Sequence, residues 1–325
     1  MTMLNMTQVK ELVKAPWHVG TDVCKAWLDT IDAAAGVVGR YPNAPGGWAR
    51  LLAAYARQPE ALFCMEASGG YEKGFCRALL AAGRRHAVVA PKRVRQYAQA
   101  MGQDARNDCL DARAIRDFGH ELERTGRLVE RSLHANPRLE ELGQARRQLA
   151  ELAGRQKVTR EHHHDAFVAE QDRRRMAFLK SQMKALDAEI ATLMEGEERL
   201  SGRYRKLMGI FGFGQVSSLA LLTDMPELGE IPGRRAARLV GVAPLDNQSG
   251  PVSRQRRISG GRGQLRRALY MPMISVIRGD PRLKAFFVKL RGKGLSGKAA
   301  LIACMRKVIV WLDAMLRDGT EWRTA

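Results

Sequence analysis

The positions of four acidic residues in the sequence make them candidates for a functional site. Asp22 lies within an apolar stretch that predicts a β-strand, and Glu66 directly follows the apolar run 61–65. Asp108 and Asp111 are three residues apart, a spacing that places both on one face of a helix. Burying a carboxylate beside an apolar strand costs free energy unless the carboxylate is paired or has a function, so these positions indicate a function.

Four carboxylates that converge repel one another unless cations are bound. Oxygen-only ligands select hard ions such as Mg²⁺ or Mn²⁺, and two such ions can stabilise both the attacking and the leaving oxygen at a phosphodiester. A simpler interpretation competes with this one, because most of the 34 acidic residues are expected to be solvated surface charges. Asp29, Asp32 and Asp104 are interpreted in that way. Three thiols beside the acids are interpreted as small core residues rather than ligands: Cys24, Cys64 and Cys109.

A serine lies in the most basic part of the chain. Ten arginines and a single acid, Asp246, stand between residues 234 and 278. Ser259 is followed by two glycines, so its hydroxyl could lie on an exposed turn that a phosphate can approach. The residues also fit a helix N-cap, since a serine before a glycine-rich turn and a helix from Gln264 is an ordinary cap. On the residues alone the cap is favoured, and Ser249 and Ser253 are weaker candidates for chemistry.

Arginine suits a phosphate because its planar fork can donate two parallel hydrogen bonds. The arginines expected to bind nucleic acid are Arg254, Arg256, Arg257, Arg262, Arg266 and Arg267. The stretch 207–217 resembles a helix-hairpin-helix, in which a glycine-rich turn presents N–H groups to backbone phosphate. Gly212 and Gly214 are its predicted binding residues. The three histidines 162–164 cannot share one ion on a helix and are interpreted as solvated surface.

The overall charge points to a polyanionic partner. Lys and Arg number 54 against 34 acids, which gives a formal net charge of +20 and a pI near 10.3. Nucleic acid fits best, because basic side chains gain affinity by releasing counterions condensed on phosphates. A membrane surface fits less well, since the chain shows neither a long apolar span nor a signal peptide. A cytoplasmic, nucleoid-associated protein is therefore expected. The five cysteines are odd in number and include no Cys-x-x-Cys pair for zinc or redox work, so they are expected to be reduced thiols.

The elements that must position these residues follow from hydrophobic patterning. Strands over 17–23, 27–32 and 36–41 predict a three-strand meander, and strands and helices alternate after it. This order predicts a ribonuclease-H-like α/β fold, a mixed sheet with helices on its faces. The alternating elements are an amphipathic helix at 48–56, a strand at 61–65, a helix at 71–82 and a strand at 86–90.

A long helical segment separates this region from the basic half. Apolar residues recur there at spacings of three and four, typical of a coiled-coil seam. They are Leu139, Leu142, Leu149 and Leu152, then Met176, Leu179, Met183, Leu186, Ile190 and Leu193. The charged stretch 155–175 between them leaves two paths open, an antiparallel hairpin or one interrupted rod. The predicted domains are an extension over 1–16, a metal-binding domain over 17–130, a coiled-coil linker over 131–203 and an α-rich domain over 204–325.

Several motifs together resemble the insertion-sequence 110 family of transposases and the related pilin-gene inverting recombinases. In the first half these are Val19-Gly-Thr-Asp22-Val-Cys-Lys25, Met65-Glu66-Ala-Ser-Gly-Gly-Tyr71 and Asn107-Asp108-Cys-Leu-Asp111-Ala-Arg113. In the second half they are Leu239-Val-Gly-Val-Ala-Pro244 and Arg257-Ile-Ser259-Gly-Gly-Arg-Gly-Gln-Leu-Arg-Arg-Ala-Leu-Tyr-Met-Pro272. The resemblance runs from about residue 17 to 316. Thr21 and Cys24 depart from the residue types that the family more often has there.

The resemblance implies a RuvC-like tetrad of Asp22, Glu66, Asp108 and Asp111 that binds Mg²⁺ or Mn²⁺. It also implies that Ser259 is a nucleophile toward DNA, which reverses the preference for the cap. The implied function is a transposase or site-specific recombinase that cuts and rejoins DNA strands. Its implied partners are DNA, a structured guide (bridge) RNA and further copies of the chain, as a dimer or tetramer.

Two other interpretations remain open. The same metal domain could serve a structure-selective nuclease that uses water, with Ser259 as a cap, and a covalent protein–DNA adduct would separate the two. Alternatively, the chain could be a coiled-coil nucleic-acid-binding protein without catalysis, which metal-dependent strand cleavage would exclude.

Overall fold

The computed structural model describes residues 18–31, 38–103, 108–245, 248–249, 252–253 and 257–322. The chain divides into two compact units, Met1–Leu133 and His134–Ala325. Among the described residues, no helix combines the length and the apolar character needed to cross a membrane.

The first unit is built on a five-stranded mixed sheet. Its strands are β1 His18–Val23, β2 Trp27–Ile31, β3 Val38–Pro42, β4 Leu62–Glu66 and β5 His86–Val89, in the order β3-β2-β1-β4-β5. The first three strands form the predicted antiparallel meander, whereas β4 pairs in parallel with both β1 and β5. The prediction of a mixed α/β sheet is therefore confirmed.

Helices cover both faces of the sheet. They are α1 Pro45–Ala54, α2 Glu72–Ala81, α3 Pro91–Ala100 and α4 Asp108–Arg124. Phe63 and Met65 of β4 pack with Phe75 and Leu79 of α2 on one face. Leu62 and Cys64 of the same strand pack on the other face with residues of α3 and α4, among them Val94, Ile115 and Phe118. This alternation follows from the two-residue period of a strand and fixes which side chains face α4.

The second unit begins with a helical hairpin formed by α5 Pro137–Thr159 and α6 Ala166–Glu195. Each helix starts at a side-chain cap: Asn136 accepts from Leu139 N at 2.9 Å and Asp165 accepts from Val168 N at 3.0 Å. The bonds between the two helices show that they are antiparallel, because the partner on α6 has a lower number as the residue number on α5 rises. Arg138 bonds to Glu189, Arg146 to Asp187 and Gln156 to Asp172. Of the two predicted paths, the chain takes the hairpin.

The remaining described helices pack around one apolar core. They are α7 Glu198–Met208, α8 Gln215–Asp224, α9 Gly233–Val240, α10 Gly263–Gly279, α11 Pro281–Gly292 and α12 Gly297–Asp318. The core is centred on α12, where Cys304, Met305, Val308 and Leu312 are buried. Short two-residue strands lie between α9 and α10: β6 Pro244–Leu245, β7 Gln248–Ser249, β8 Val252–Ser253 and β9 Arg257–Ile258.

Three interpretations from the sequence need correction. His163 is not simply solvated, because its Nδ1 lies 2.6 Å from an oxygen of the buried Asp172. Cys24 is exposed, although Cys64 is buried as expected. Asp29 is 4% exposed rather than a surface charge. Asp32, Asp104 and the side chain of Cys109 lie outside the described residues.

Candidate functional site: a carboxylate cluster and an exposed serine

Asp22 and Glu66 lie at the same end of two neighbouring parallel strands. In the register of β1 and β4, Gly20 is opposite Cys64 and Thr21 is opposite Met65. Asp22 and Glu66 follow these pairs at the carboxyl ends of the strands. Because Cys64 faces α4 and residues two apart share a face, Glu66 is on the α4 side of the sheet, as is Asp22.

Two glycines allow α4 to lie directly on these strands. A Cβ at Gly20 would be 2.0 Å from the Ala112 carbonyl oxygen, and a Cβ at Gly119 would be 2.4 Å from Cys64 Sγ. Such distances are far below van der Waals contact, so only glycine permits this approach. The first turn of α4 carries Asp108 and Asp111. Close packing at Gly20 therefore brings that turn to the end of the sheet where Asp22 lies.

The surroundings of this cluster raise the pKa of two of its acids, Asp22 and Glu66. The pKa of Asp22 is raised to about 6, mainly by burial, then by the charges of Glu66 and Asp111, with a smaller effect from Asp108. Burial likewise raises the pKa of Glu66, where Asp111 adds to the effect and Arg95 opposes it. A raised carboxyl pKa next to other carboxylates means that ionising the whole group is unfavourable. A bound divalent cation would relieve that repulsion, so the donor set suits a hard ion.

The side chains are not, however, placed around a common point. Within the described ranges, no three His, Cys, Asp or Glu side chains are positioned to hold one metal ion. Asp108 is exposed and its Oδ2 accepts a hydrogen bond from Arg40 Nη2 at 2.7 Å. The tetrad therefore stays a prediction, with all four members at one end of the sheet and one of them bound to an arginine.

Ser259 lies on an exposed turn between β9 and α10. Strand β9 pairs with β6, with Ile258 opposite Pro244, and Ser259 follows as an exposed residue. Gly260 and Gly261 then adopt left-handed φ values of +67° and +70°, which glycine tolerates best. The N-cap position of α10 is Arg262, without a side-chain cap. The N-cap interpretation of Ser259 is therefore wrong, whereas its role as a nucleophile stays a prediction.

Two of the predicted nucleic-acid-binding arginines make internal contacts. Arg262 donates to both carboxylate oxygens of the buried Glu227, at 2.8 and 2.9 Å. Arg266 Nη1 donates to the carbonyl oxygens of Val240, Gly241 and Gly260. Their guanidinium groups thus stabilise the turn that carries Ser259.

The other predicted contacts differ in their surroundings. Arg257 and Arg267 are exposed, whereas Arg254 and Arg256 lie outside the described residues, as do the side chains of Ser249 and Ser253. Gly212 packs against α10, since a Cβ there would be 2.6 Å from Ser275 Cβ. The Gly214 N–H already donates to Ser217 Oγ at 3.0 Å. Direct phosphate binding by these residues stays a prediction.

Sequence reasoning missed Arg40 and the buried Asp29. Arg40 donates to Asp29 through Nε at 2.7 Å and through Nη2 at 2.9 Å, in addition to its bond to Asp108. The predicted meander could have indicated that these residues lie side by side. Asp29 is opposite Asp22, and Arg40 is opposite Asp29, a register that the predicted strand lengths would have allowed.

Comparisons with known proteins agree with both halves of the chain. A family model described as "Transposase", of the DEDD type of IS110, matches residues 19–163. A second, described as "Transposase IS116/IS110/IS902 family", matches residues 204–288. All four predicted metal ligands fall within the first match, and Ser259 falls within the second.

Individual relatives support the same assignment. The insertion element IS110 uncharacterized 43.6 kDa protein of Streptomyces coelicolor is 30% identical over 145 residues, 44% of this chain and 35% of the relative. The pilin gene-inverting protein of Moraxella lacunata is 24% identical over 272 residues, 78% of this chain and 80% of the relative. The insertion element IS900 uncharacterized 42 kDa protein of Mycobacterium paratuberculosis is 29% identical over 161 residues, 46% of this chain and 39% of the relative.

The match thus spans about a third of the length of the IS110 relative and most of the pilin gene-inverting protein. Two domain types of one family follow each other along the chain in the order that its motifs predict. The chain therefore carries two domains of IS110 family transposases and is homologous to IS110 proteins and to the pilin gene-inverting protein.

Proposed function

We propose that the protein is a transposase that cuts DNA strands and rejoins them, with Ser259 as its nucleophile. The first unit serves in this proposal as a ribonuclease-H-like domain in which Asp22, Glu66, Asp108 and Asp111 hold Mg²⁺ or Mn²⁺. The observation that carries the proposal is the presence of both family domains on one chain. The cluster of acids in one domain and the exposed serine in the other supply the groups that such a reaction needs.

The reaction begins with the Ser259 hydroxyl. Its Oγ attacks a DNA phosphorus atom, the Oγ–H proton is lost, and a serine–phosphate bond forms as the bond from phosphorus to the leaving deoxyribose oxygen breaks. That oxygen takes up a proton. A hydroxyl of a second strand then attacks the same phosphorus and releases Ser259. A bound divalent cation supplies charge stabilisation at the phosphate oxygens. One phosphoester bond replaces another at each step, so the bond energy is conserved and rejoining requires no nucleoside triphosphate.

The residues around Ser259 suit a phosphate without themselves reacting. Arg257 is the first residue of β9 and is exposed, and Arg267 is exposed on α10. Both can donate paired hydrogen bonds to phosphate oxygens. Arg262 and Arg266 act differently in this proposal: they keep the turn in place, so that Ser259 does not have to be ordered when DNA binds.

A structured RNA is proposed as the source of target choice, as the family resemblance implies. Basic residues are spread over the chain, including Lys92, Arg93 and Arg95 and the stretch 155–175. Such a distribution suits backbone contacts with a heteroduplex while base pairing reads the sequence. Purification from cells that transcribe the flanks of the gene tests this. Correct recombination by RNA-free, ribonuclease-treated protein would show direct readout by protein instead.

The working unit is proposed to be an oligomer whose active site combines two chains. Exchange of two duplexes requires four strand cuts, more than a single serine can complete. The hairpin of α5 and α6 leaves Phe167 and Phe178 72% and 61% exposed, which offers an apolar surface for association. A mixture of Ser259→Ala and Asp22→Asn chains tests the arrangement. Recovered activity indicates that the two residues act in trans, and its absence indicates a site within one chain.

One experiment separates the transposase from the nuclease. The full chain is incubated with DNA that flanks its own gene, with and without Mg²⁺, and the products are sequenced. Joined strands together with a covalent protein–DNA adduct support the transposase. Cleaved strands without joining or adduct support a nuclease that uses water, and intact DNA at every Mg²⁺ concentration excludes both.

A further inference from the structure

Arg40 is held in a fixed position by a buried acid next to the carboxylate cluster. Asp22, Asp29 and Arg40 form a row across β1, β2 and β3, because each is directly opposite the next. Directly opposite residues in antiparallel strands point to the same face, which here is the face covered by α4. The Asp29 side chain is 6% exposed and receives both Nε and Nη2 of Arg40. This two-point contact orients the guanidinium toward the first turn of α4.

The same guanidinium binds one of the predicted metal ligands. Arg40 Nη2 donates to Asp108 Oδ2 at 2.7 Å, and the side chain of Asp108 is otherwise 63% exposed. Asp108 is therefore drawn toward β2 and β3, whereas Asp22 and Glu66 belong to β1 and β4. Neighbouring strands are about 5 Å apart, so a displacement by one strand is enough to separate Asp108 from a shared ion.

We propose that Arg40 is a positioning residue that competes with the divalent cation for Asp108. In the metal-free protein the guanidinium neutralises this carboxylate, and cation binding by the cluster requires Oδ2 to leave Nη2. This inference rests on the proposed function, since it takes Asp108 as a metal ligand. The competition is modest, because a solvent-exposed ion pair contributes little free energy.

The structure offers a matched control for the loss of one arginine. Arg50, on α1, lies with its guanidinium carbon 5.9 Å from the ring centre of Tyr41. Tyr41 packs in the core on the opposite face of the sheet from α4. Arg50→Gln therefore removes the same charge from the same unit without touching Asp108. A second variant, Asp29→Asn/Arg40→Gln, avoids leaving a buried carboxylate without its partner.

The test is a calorimetric titration of the DNA-free full chain with Mn²⁺, with unfolding curves of each variant in EDTA. Arg40→Gln and Asp29→Asn/Arg40→Gln should bind Mn²⁺ about two- to fivefold more tightly than wild type, the fold-change that about 0.5–1 kcal/mol produces. Arg50→Gln should change the affinity by less than the Arg40 variants do. A purely structural Arg40 would lower stability in EDTA without tightening Mn²⁺ binding.

The outcomes separate this inference from the proposed function. Equal or weaker Mn²⁺ binding by both Arg40 variants, with binding in wild type that Asp22→Asn abolishes, would overturn the role of Arg40 and leave the metal site in place. No Mn²⁺ binding by the wild type, or binding that Asp22→Asn leaves unchanged, would overturn the carboxylate site and the inference with it.

Discussion

Arg266 and Gly260 are joined by a hydrogen bond of 2.9 Å, from the Arg266 guanidinium to the Gly260 carbonyl oxygen. The same nitrogen also donates to Val240 and Gly241. Arg266→Ala should therefore lower the free energy of unfolding by about 1–3 kcal/mol, because three carbonyl groups lose a charged donor. Urea unfolding followed by circular dichroism measures this change.

Arg267 is the control for this variant, since it is the next residue in α10 and is exposed. Arg267→Ala should leave stability within about 0.5 kcal/mol of wild type. It should weaken DNA binding and reduce the slope of log affinity against log salt by about 1. If Arg267→Ala destabilised the protein as much as Arg266→Ala, the distinction between a structural and a DNA-binding arginine would be wrong.

Gly20→Ala should prevent α4 from packing on the sheet. The added Cβ would be 2.0 Å from the Ala112 carbonyl oxygen, a backbone atom that cannot rotate away. We expect a loss of more than about 3 kcal/mol or an insoluble product. Gly46→Ala is the matched control, because nothing lies within 4 Å of a Cβ there and alanine favours the first turn of α1. Equal thermal stability of the two variants would contradict the packing described for α4.

The raised pKa of Asp22 predicts how stability depends on pH. Its ordinary value of 3.8 rises to about 6 in the folded chain, so the folded state binds the proton more tightly than the unfolded state does. The stabilisation of the folded state by the proton on Asp22 is complete below about pH 4 and is lost as the pH rises through 6.

Asp22→Asn removes this titration. In EDTA, wild type should lose about 1–2 kcal/mol of stability relative to Asp22→Asn between pH 4 and 7, after allowance for solvent screening. Mg²⁺ at pH 7 should recover part of that loss in wild type and none of it in the variant. Parallel stability curves for the two proteins across this pH range would show that Asp22 is not perturbed.

Thr21 carries a buried hydroxyl that has no hydrogen-bond partner within the described part of the chain. Thr21→Val keeps the shape of the side chain and removes that hydroxyl, so it should raise the free energy of unfolding by about 1 kcal/mol. Thr30→Val is the contrasting variant, because Thr30 Oγ1 donates to the Gly39 carbonyl oxygen at 3.1 Å. It should lower stability. A lower midpoint of denaturation for Thr21→Val would indicate that the hydroxyl is satisfied.

Local patterns predicted the elements that carry the candidate site. The apolar runs of β1 and β4 and the short turns between β1, β2 and β3 are local properties, and the strand ends lie within a few residues of the predicted ones. The placement of Asp22 and Glu66 at strand ends could therefore be predicted. The helical spacing of Asp108 and Asp111 was predictable for the same reason.

The contacts between elements were not predictable in this way. Asp29 resembles any surface acid until the register shows that it is opposite Asp22 and bonded to Arg40. Arg262 and Arg266 resemble phosphate-binding residues because their chemistry is the same whether the acceptor is DNA, Glu227 or a backbone carbonyl. Only the tertiary structure decides which acceptor is near, and that depends on residues distant in the chain.

In the proposed reaction, Ser259 forms a covalent bond with DNA. The most direct measurement is mass spectrometry of the peptide cross-linked to DNA, after the full chain has been incubated with Mg²⁺ and DNA from the flanks of its gene. The wild type should carry a nucleotide attached to Ser259 and Ser259→Ala should carry no adduct, with Ser253→Ala behaving as wild type. An adduct that persists in Ser259→Ala, or joined DNA from that variant at the wild-type rate, would contradict the proposed reaction.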